Sequence, residues 1–92
     1  MNLSARLYVV DDETLQREAL TTLLQQEGYE VLSFSNANDA LHSLREQPCE
    51  LLLTDLKLPG LSGTELIRQA KQIIPDLSAI LMTGHGSMET AV

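Results

Sequence analysis

Three aspartates follow two short apolar segments of the chain. Asp11 and Asp12 come directly after residues 7–10, and Asp55 comes after residues 49–54, 43 positions beyond Asp12. Ligands of an open parallel sheet bind outside the carboxyl ends of its strands, where the strand order reverses. If the second strand lies on the far side of the first, the first and third strands are neighbours and these acids converge on one pocket.

Converging carboxylates need a counter-charge, because like charges at close range raise one another's pKa. A divalent cation with oxygen ligands supplies that charge, and Mg²⁺ suits one or two carboxylates together with water and phosphate oxygens. A carboxylate beside Mg²⁺ can then attack phosphorus and form an acyl phosphate. Two structural interpretations stay open: Asp11 and Asp12 could complement a helix dipole, and Asp55 could be a turn or cap residue.

The segments that would position these acids alternate between strand and helix patterns. Strand-forming stretches and stretches with helical spacing of apolar residues follow one another along the chain, with strands over residues 7–10, 29–34, 49–54 and 77–83 and helices over 14–27 and 64–74. Another helix, capped by Asn36 or Asn38, ends at Pro48, and Ser87 could cap one more. This alternation predicts right-handed βαβ units, a parallel sheet covered on both faces and an α/β fold class.

Composition excludes several function classes. A chain of 92 residues forms one domain at most. Its net charge of −7, with only six Lys and Arg residues, argues against direct nucleic acid binding, which needs clustered basic residues. No apolar run approaches the roughly 20 residues that cross a bilayer, and the N-terminus has no signal-peptide pattern. The single cysteine, Cys49, fits a core position in a reducing compartment, so we expect a cytoplasmic protein without membrane contact.

Three motifs together resemble the receiver domains of two-component response regulators. They are VVDDE at residues 9–13, LTDLKLPGLSG at 53–63 and LMTGHG at 81–86. They occur in this order at the ends of three predicted strands, and the resemblance extends from about Arg6 to Val92. It implies a flavodoxin-like receiver fold, an open parallel sheet of strand order 2-1-3-4, and a phosphoprotein that works in a phosphorelay.

The resemblance also implies roles for individual residues. Asp55 would be the phosphoacceptor, taking phosphate from a phosphohistidine of a sensor histidine kinase. Asp11, Asp12 and Asp55 would bind Mg²⁺, directly or through water, with the backbone carbonyl of Lys57 as a further ligand. Thr83 would be the switch hydroxyl that turns inward to the phosphoryl group. The expected activity is at most self-phosphorylation and slow self-dephosphorylation, without enzymatic turnover.

Receiver domains normally continue through a complete fourth helix, a fifth strand that ends in a phosphoryl-contacting Lys, and a fifth helix. We therefore interpret residues 1–92 as a single incomplete receiver domain that lacks most of helix 4, strand 5 and helix 5. An alternative function follows from an exposed fourth strand, namely a scaffold without phosphotransfer competence that forms a homodimer through that edge. Residues 84–92 are similar to receivers of transcriptional activators, whose DNA-binding output would lie in other residues.

A third function, an aspartyl-phosphate hydrolase of the haloacid-dehalogenase type, is disfavoured. Such enzymes need a second Asp two residues after the nucleophile, and Lys57 occupies that position. The side chains of Lys57, His42 and His85 are interpreted as exposed surface groups. An alternative for Lys57 is that its ammonium group assists the phosphate electrostatically.

Overall fold

The computed structural model describes residues 5–82 and the backbone of Met88–Ala91. The strands of this part are β1 (Arg6–Val10), β2 (Glu30–Phe34), β3 (Leu51–Asp55), β4 (Ser78–Met82) and β5 (Met88–Ala91). The helices are α1 (Thr14–Gln26), α2 (Ala37–Leu44) and α3 (Gly63–Ile73). The strands form one sheet of order β2-β1-β3-β4-β5, in which only β5 is antiparallel to its neighbour. The predicted α/β class and parallel order 2-1-3-4 are confirmed.

Strand β1 lies at the point where the chain order of the sheet reverses. It pairs with β2 on one side and with β3 on the other, and Val10 is level with both Phe34 and Thr54. The carboxyl ends of β1 and β3 therefore lie side by side. A crevice at this position is the usual ligand site of an open α/β sheet.

The hydrophobic core lies between the sheet and helices α2 and α3. Alternate residues of β1, β3 and β4 point into it, because successive side chains of a strand face opposite sides. Its buried members include Tyr8, Leu52 and Ala79 of the sheet, Ala40 and Leu44 of α2, Leu66 and Ala70 of α3, and Cys49. The burial of these side chains agrees with the continuous apolar sequence of the strands, which is typical of strands covered on both faces.

Helix α2 is fixed at both ends by side-chain hydrogen bonds. Of the two candidate caps, Asn36 is the N-cap, and its Oδ1 accepts from the Asp39 amide at 2.8 Å. The helix ends at Leu44, earlier than the proline-based prediction. The Tyr8 hydroxyl donates to the Gln47 carbonyl at 2.6 Å and shares a hydrogen bond with Ser43 Oγ at 2.7 Å, which binds β1 to the turn after α2.

Helix α1 covers its side of the sheet only in part. It packs against β1 and β2, yet none of its residues is buried. Leu15 is 83% exposed and Leu23 54% exposed, although both belong to the apolar pattern that predicted the helix. Among the residues that the structure describes, no helix combines the length and apolar character required to span a bilayer.

The prediction of a helix after the fourth strand is wrong for residues 88–91. This segment forms β5, which pairs antiparallel with β4 from Met82↔Met88 to Ala79↔Ala91. An open strand edge offers unpaired N–H and C=O groups, whereas a short helix must first overcome a costly nucleation step. The predicted exposure of the fourth strand is also wrong, because β5 pairs with the edge on which the homodimer alternative depended.

Candidate metal and phosphoacceptor site

Three carboxylates meet at the carboxyl end of the sheet. Asp11 and Asp12 directly follow β1, and Asp55 is the last residue of β3. One carboxylate oxygen from each lies within 4.8 Å of the other two. Asp11 is fully buried, Asp55 is half-buried and Asp12 is exposed. The structure thus brings together the three acids that the sequence singled out, at the reversal point between β1 and β3.

Asp11 is held by its backbone and by one of its two carboxylate oxygens. Its amide donates to the Phe34 carbonyl at 3.0 Å, which extends the pairing of β1 with β2 by one residue. Its Oδ1 accepts from the Glu13 amide at 2.9 Å, a local bond of the kind that aspartate forms in turns. Its Oδ2 is buried and accepts no hydrogen bond from any group in the described part of the chain.

The surroundings of Asp11 disfavour its ionised form. Burial raises the pKa of the Asp11 carboxyl above its ordinary value, and the charges of Asp55 and Asp12 raise this pKa further. The hydrogen bond from the Glu13 amide acts in the opposite direction and lowers the pKa. A cation among the three acids would stabilise the ionised carboxylate.

The donor set fits a hard divalent cation. All three groups are carboxylates, and oxygen ligands of this kind are those that Mg²⁺ and Ca²⁺ bind in proteins. The buried Oδ2 of Asp11 also indicates a bound ligand, because a buried polar atom without a partner is unfavourable unless a ligand binds it. The residues present therefore fit Mg²⁺.

Asp55 is held from two sides by Thr54 and Gly63, which belong to the motif at residues 53–63 but had no predicted role of their own. Thr54 is fully buried and its hydroxyl donates to the Asp55 carbonyl at 3.0 Å. Gly63, the first residue of α3, approaches so closely that a Cβ on it would lie 2.0 Å from the same carbonyl oxygen. Its amide donates to the Leu56 carbonyl at 2.8 Å. The start of α3 therefore packs directly against the backbone of Asp55, a contact that only glycine allows.

Arg17 also contacts the site and was not anticipated. Its Nη1 donates to the Asp11 carbonyl at 2.8 Å. The sequence offers a different partner, because Arg17 lies four residues after Glu13 and residues at this spacing are neighbours on a helix. Because the chain bends after β1, the guanidinium reaches the Asp11 carbonyl oxygen. This bend belongs to the tertiary fold, so helical spacing does not predict the contact.

The other residues with expected roles are not brought into the cluster. The Lys57 side chain is exposed in the loop between β3 and α3, and its carbonyl stays a predicted ligand. Thr83 and His85 lie outside the described residues, so the switch hydroxyl also stays a prediction. His42 is exposed on α2, as expected.

Comparison with known families gives one match over nearly the whole chain. A profile for the response regulator receiver domain matches residues 7–92. The C4-dicarboxylate transport transcriptional regulatory protein DctD of Rhizobium meliloti is 34% identical over 92 residues, which cover all of this chain and 20% of DctD. The response regulator receiver protein CpdR of Brucella abortus is 37% identical over 83 residues, which cover 90% of this chain and 69% of CpdR.

One similar solved structure was determined in complex with Mg²⁺-BeF. The response regulator protein TrrA of Thermotoga maritima, crystallised in complex with Mg²⁺-BeF, is 36% identical, with a TM-score of 0.81. The match covers 88% of this chain and 72% of the TrrA chain. The sequence profile, the related sequences and the solved structure therefore all indicate the same family.

Proposed function

The chain belongs to the receiver domains of two-component response regulators, and from that premise we propose that Asp55 is its phosphoacceptor and that Asp11, Asp12 and Asp55 bind Mg²⁺. The observation that carries the proposal is the approach of the three carboxylates to within 4.8 Å at the reversal point of the sheet. The Lys57 carbonyl is proposed as a further ligand. Thr83 is proposed as the hydroxyl that responds to the new phosphoryl group.

Asp55 combines an accessible carboxylate with a restrained backbone. Asp55 is half-buried at the end of β3, so its carboxylate is open to a donor while its backbone is fixed by Thr54 and Gly63. A carboxylate oxygen of Asp55 bonds to phosphorus as the bond from phosphorus to the donor nitrogen breaks, and the donor imidazole keeps those electrons. The product is an acyl phosphate on Asp55. Bound Mg²⁺ supplies charge neutralisation for the phosphoryl oxygens.

The proposed partner is a sensor histidine kinase, whose phosphohistidine is the donor. We propose that the reaction takes place in the cytoplasm. The proposed activity of the chain is limited to self-phosphorylation and slow self-dephosphorylation, without enzymatic turnover. The chain spans a fifth of the length of DctD, which is a transcriptional regulatory protein by name. We therefore propose that the signal serves transcription through segments other than residues 1–92, which form one receiver unit.

Intact-mass detection of phosphorylation tests this function. The parent, Asp55→Asn and Asp76→Asn are incubated with phosphoramidate, a small phosphodonor, in Mg²⁺ and in EDTA. Asp76 is exposed in the turn before β4 and serves as a control for the loss of one surface charge. We expect the mass of one phosphoryl group to be added to the parent and to Asp76→Asn, in Mg²⁺ only, and not to Asp55→Asn. A folded parent without mass gain, or an Asp55→Asn variant that gains mass, would refute the proposal.

A further inference from the structure

Arg17 joins helix α1 to the peptide bond between two of the acids. The Asp11 carbonyl, which accepts from Arg17 Nη1 at 2.8 Å, belongs to the peptide unit that continues into Asp12. A peptide unit is planar, so fixing its oxygen also fixes the direction in which the backbone enters Asp12. The guanidinium therefore restrains the peptide unit that leads into Asp12.

Asp12 is the acid that depends on this contact. The Asp11 side chain is buried and has its own bond from the Glu13 amide. The Asp12 side chain is exposed, and its carboxylate has no hydrogen bond from any residue that the structure describes. The backbone is therefore the part of Asp12 that other groups restrain, and on its N-terminal side it is held by Arg17.

Helix stability does not account for an arginine at this position. Arg17 is the fourth residue of α1, where the positive end of the helix dipole disfavours a cation. Its guanidinium donates to a neutral carbonyl, so this bond does not consume the carboxylate oxygens needed by a metal ion. Arginine keeps its charge at all working pH values, so the donor in this contact does not depend on pH.

We propose that Arg17 is a positioning residue for the metal site, which holds the Asp11–Asp12 peptide so that Asp12 can bind Mg²⁺ together with Asp11 and Asp55. This inference rests on the proposed function, because it assumes that the acidic cluster binds Mg²⁺. Arg17 itself touches neither the metal ion nor the phosphoryl group. Removal of groups that orient metal ligands commonly weakens metal binding by 10-fold or more.

Isothermal titration calorimetry with Mg²⁺ tests the inference on the parent and four variants. Arg17→Ala should raise the Mg²⁺ dissociation constant about 10-fold. Arg17→Lys should recover part of this loss, because an ammonium group can also donate to the carbonyl. Arg45→Ala is the charge-matched control, since Arg45 is exposed at the C-cap of α2. Thr21→Val removes the 2.8 Å bond from the Thr21 hydroxyl to the Arg17 carbonyl and controls for a weakened α1.

A second readout separates positioning from structural damage. In the phosphodonor assay, Arg17→Ala should need about 10-fold more Mg²⁺ for half-maximal phosphorylation, yet reach a rate near that of the parent at saturating Mg²⁺. Unchanged Mg²⁺ affinity in Arg17→Ala would overturn the inference, as would an equal loss of affinity in Thr21→Val. A parent that binds no Mg²⁺ would overturn the proposed function itself, a result distinct from either of these. If Arg17→Ala does not fold, Arg17→Lys is compared with the parent by the same criteria.

Discussion

The side of the sheet under α2 and α3 and the acidic edge at the carboxyl ends of the strands each contain a fully buried residue with a polar side chain. The two regions differ in how the polar atoms of that residue are hydrogen-bonded. Under the helices, the large side chains are apolar, and the one buried phenol, Tyr8, has two hydrogen-bond partners at its hydroxyl. At the acidic edge, Asp11 is as completely buried as Tyr8, yet one of its oxygens has no described partner.

This difference indicates that the apolar side stabilises the fold and that the acidic edge destabilises it. Burial of apolar area stabilises a domain in proportion to the area removed from water. Burial of a carboxylate near two others is unfavourable and is retained where a ligand needs it. The stability gained on the α2–α3 side therefore offsets the destabilising acidic edge, whose carboxylates are suited to bind a cation.

The largest predicted effect is at Gly63, where the two regions touch. Gly63→Ala would place a methyl group 2.0 Å from the Asp55 carbonyl oxygen, so α3 or β3 must move. We expect a loss of about 4 kcal/mol in the free energy of unfolding, measured by urea denaturation.

Gly28→Ala is the matched control for Gly63→Ala. Gly28 has a φ of 99° but open space around its Cβ position, so alanine there should lose only about 1–2 kcal/mol from backbone strain. If Gly63→Ala is no less stable than Gly28→Ala, α3 does not press on Asp55 and the two regions are independent.

The next effect compares two leucines on opposite sides of the sheet. Leu66 is a fully buried residue of α3, and Leu66→Ala should destabilise the protein by about 3 kcal/mol through lost burial and a cavity. Leu23 is 54% exposed on α1, and Leu23→Ala should change stability by no more than about 0.5 kcal/mol. Thermal unfolding of both variants measures the difference, and similar losses would show that α1 buries its leucines as well as α3 does.

The smallest effect is at the acidic edge and has the opposite sign. The pKa of Asp11 is raised in the folded protein by burial and then by its acidic neighbours, so ionisation opposes folding and stability falls as pH rises through that pKa. In EDTA at pH 7, Asp11→Asn should be more stable than the parent by roughly 1 kcal/mol. The gain should vanish below the ordinary Asp pKa of 3.8, where the carboxyl is protonated in both states.

Added Mg²⁺ should reverse this order, because a ligand that binds only the folded state stabilises it. Urea denaturation at several pH values, with and without Mg²⁺, provides the measurement. A parent that is more stable than Asp11→Asn at pH 7 in EDTA would show that the edge carries no charge penalty.

The sequence predicted the sheet and the position of the acids because both depend on local patterns. The apolar runs of β1 and β3 are each followed by or end in aspartate, and strand–helix alternation predicts a parallel sheet, whereas the strand order 2-1-3-4 was implied by the resemblance of the three motifs. The contact between Arg17 and Asp11 could not be predicted in this way, since a helical pattern predicts only partners three or four residues away. The pairing of β5 with β4 was not predicted either, although the two strands follow one another in the chain, because Ser87 and Glu89 were interpreted as the start of a helix.

The exposure of α1 escaped prediction for a related reason. Apolar spacing shows that Leu15 and Leu23 lie on one side of a helix, but it does not show how much of the sheet faces them. The same pattern in α3 is buried at Leu66 and Ala70 because α3 lies against both the sheet and α2. Periodicity thus predicted α1 and α3 correctly, whereas the extent of their burial depends on the tertiary structure.

The burial of Cys49 gives the chain an internal reporter of its own opening. Burial raises the pKa of this thiol to about 12, and the thiolate is the form that reacts with alkylating reagents. Cys49 is the only cysteine in the sequence, and it lies in the same cluster as Leu44 and Leu52. The rate at which iodoacetamide labels the native protein therefore reports how often this side of the sheet exposes its interior to solvent, without any substitution or attached probe.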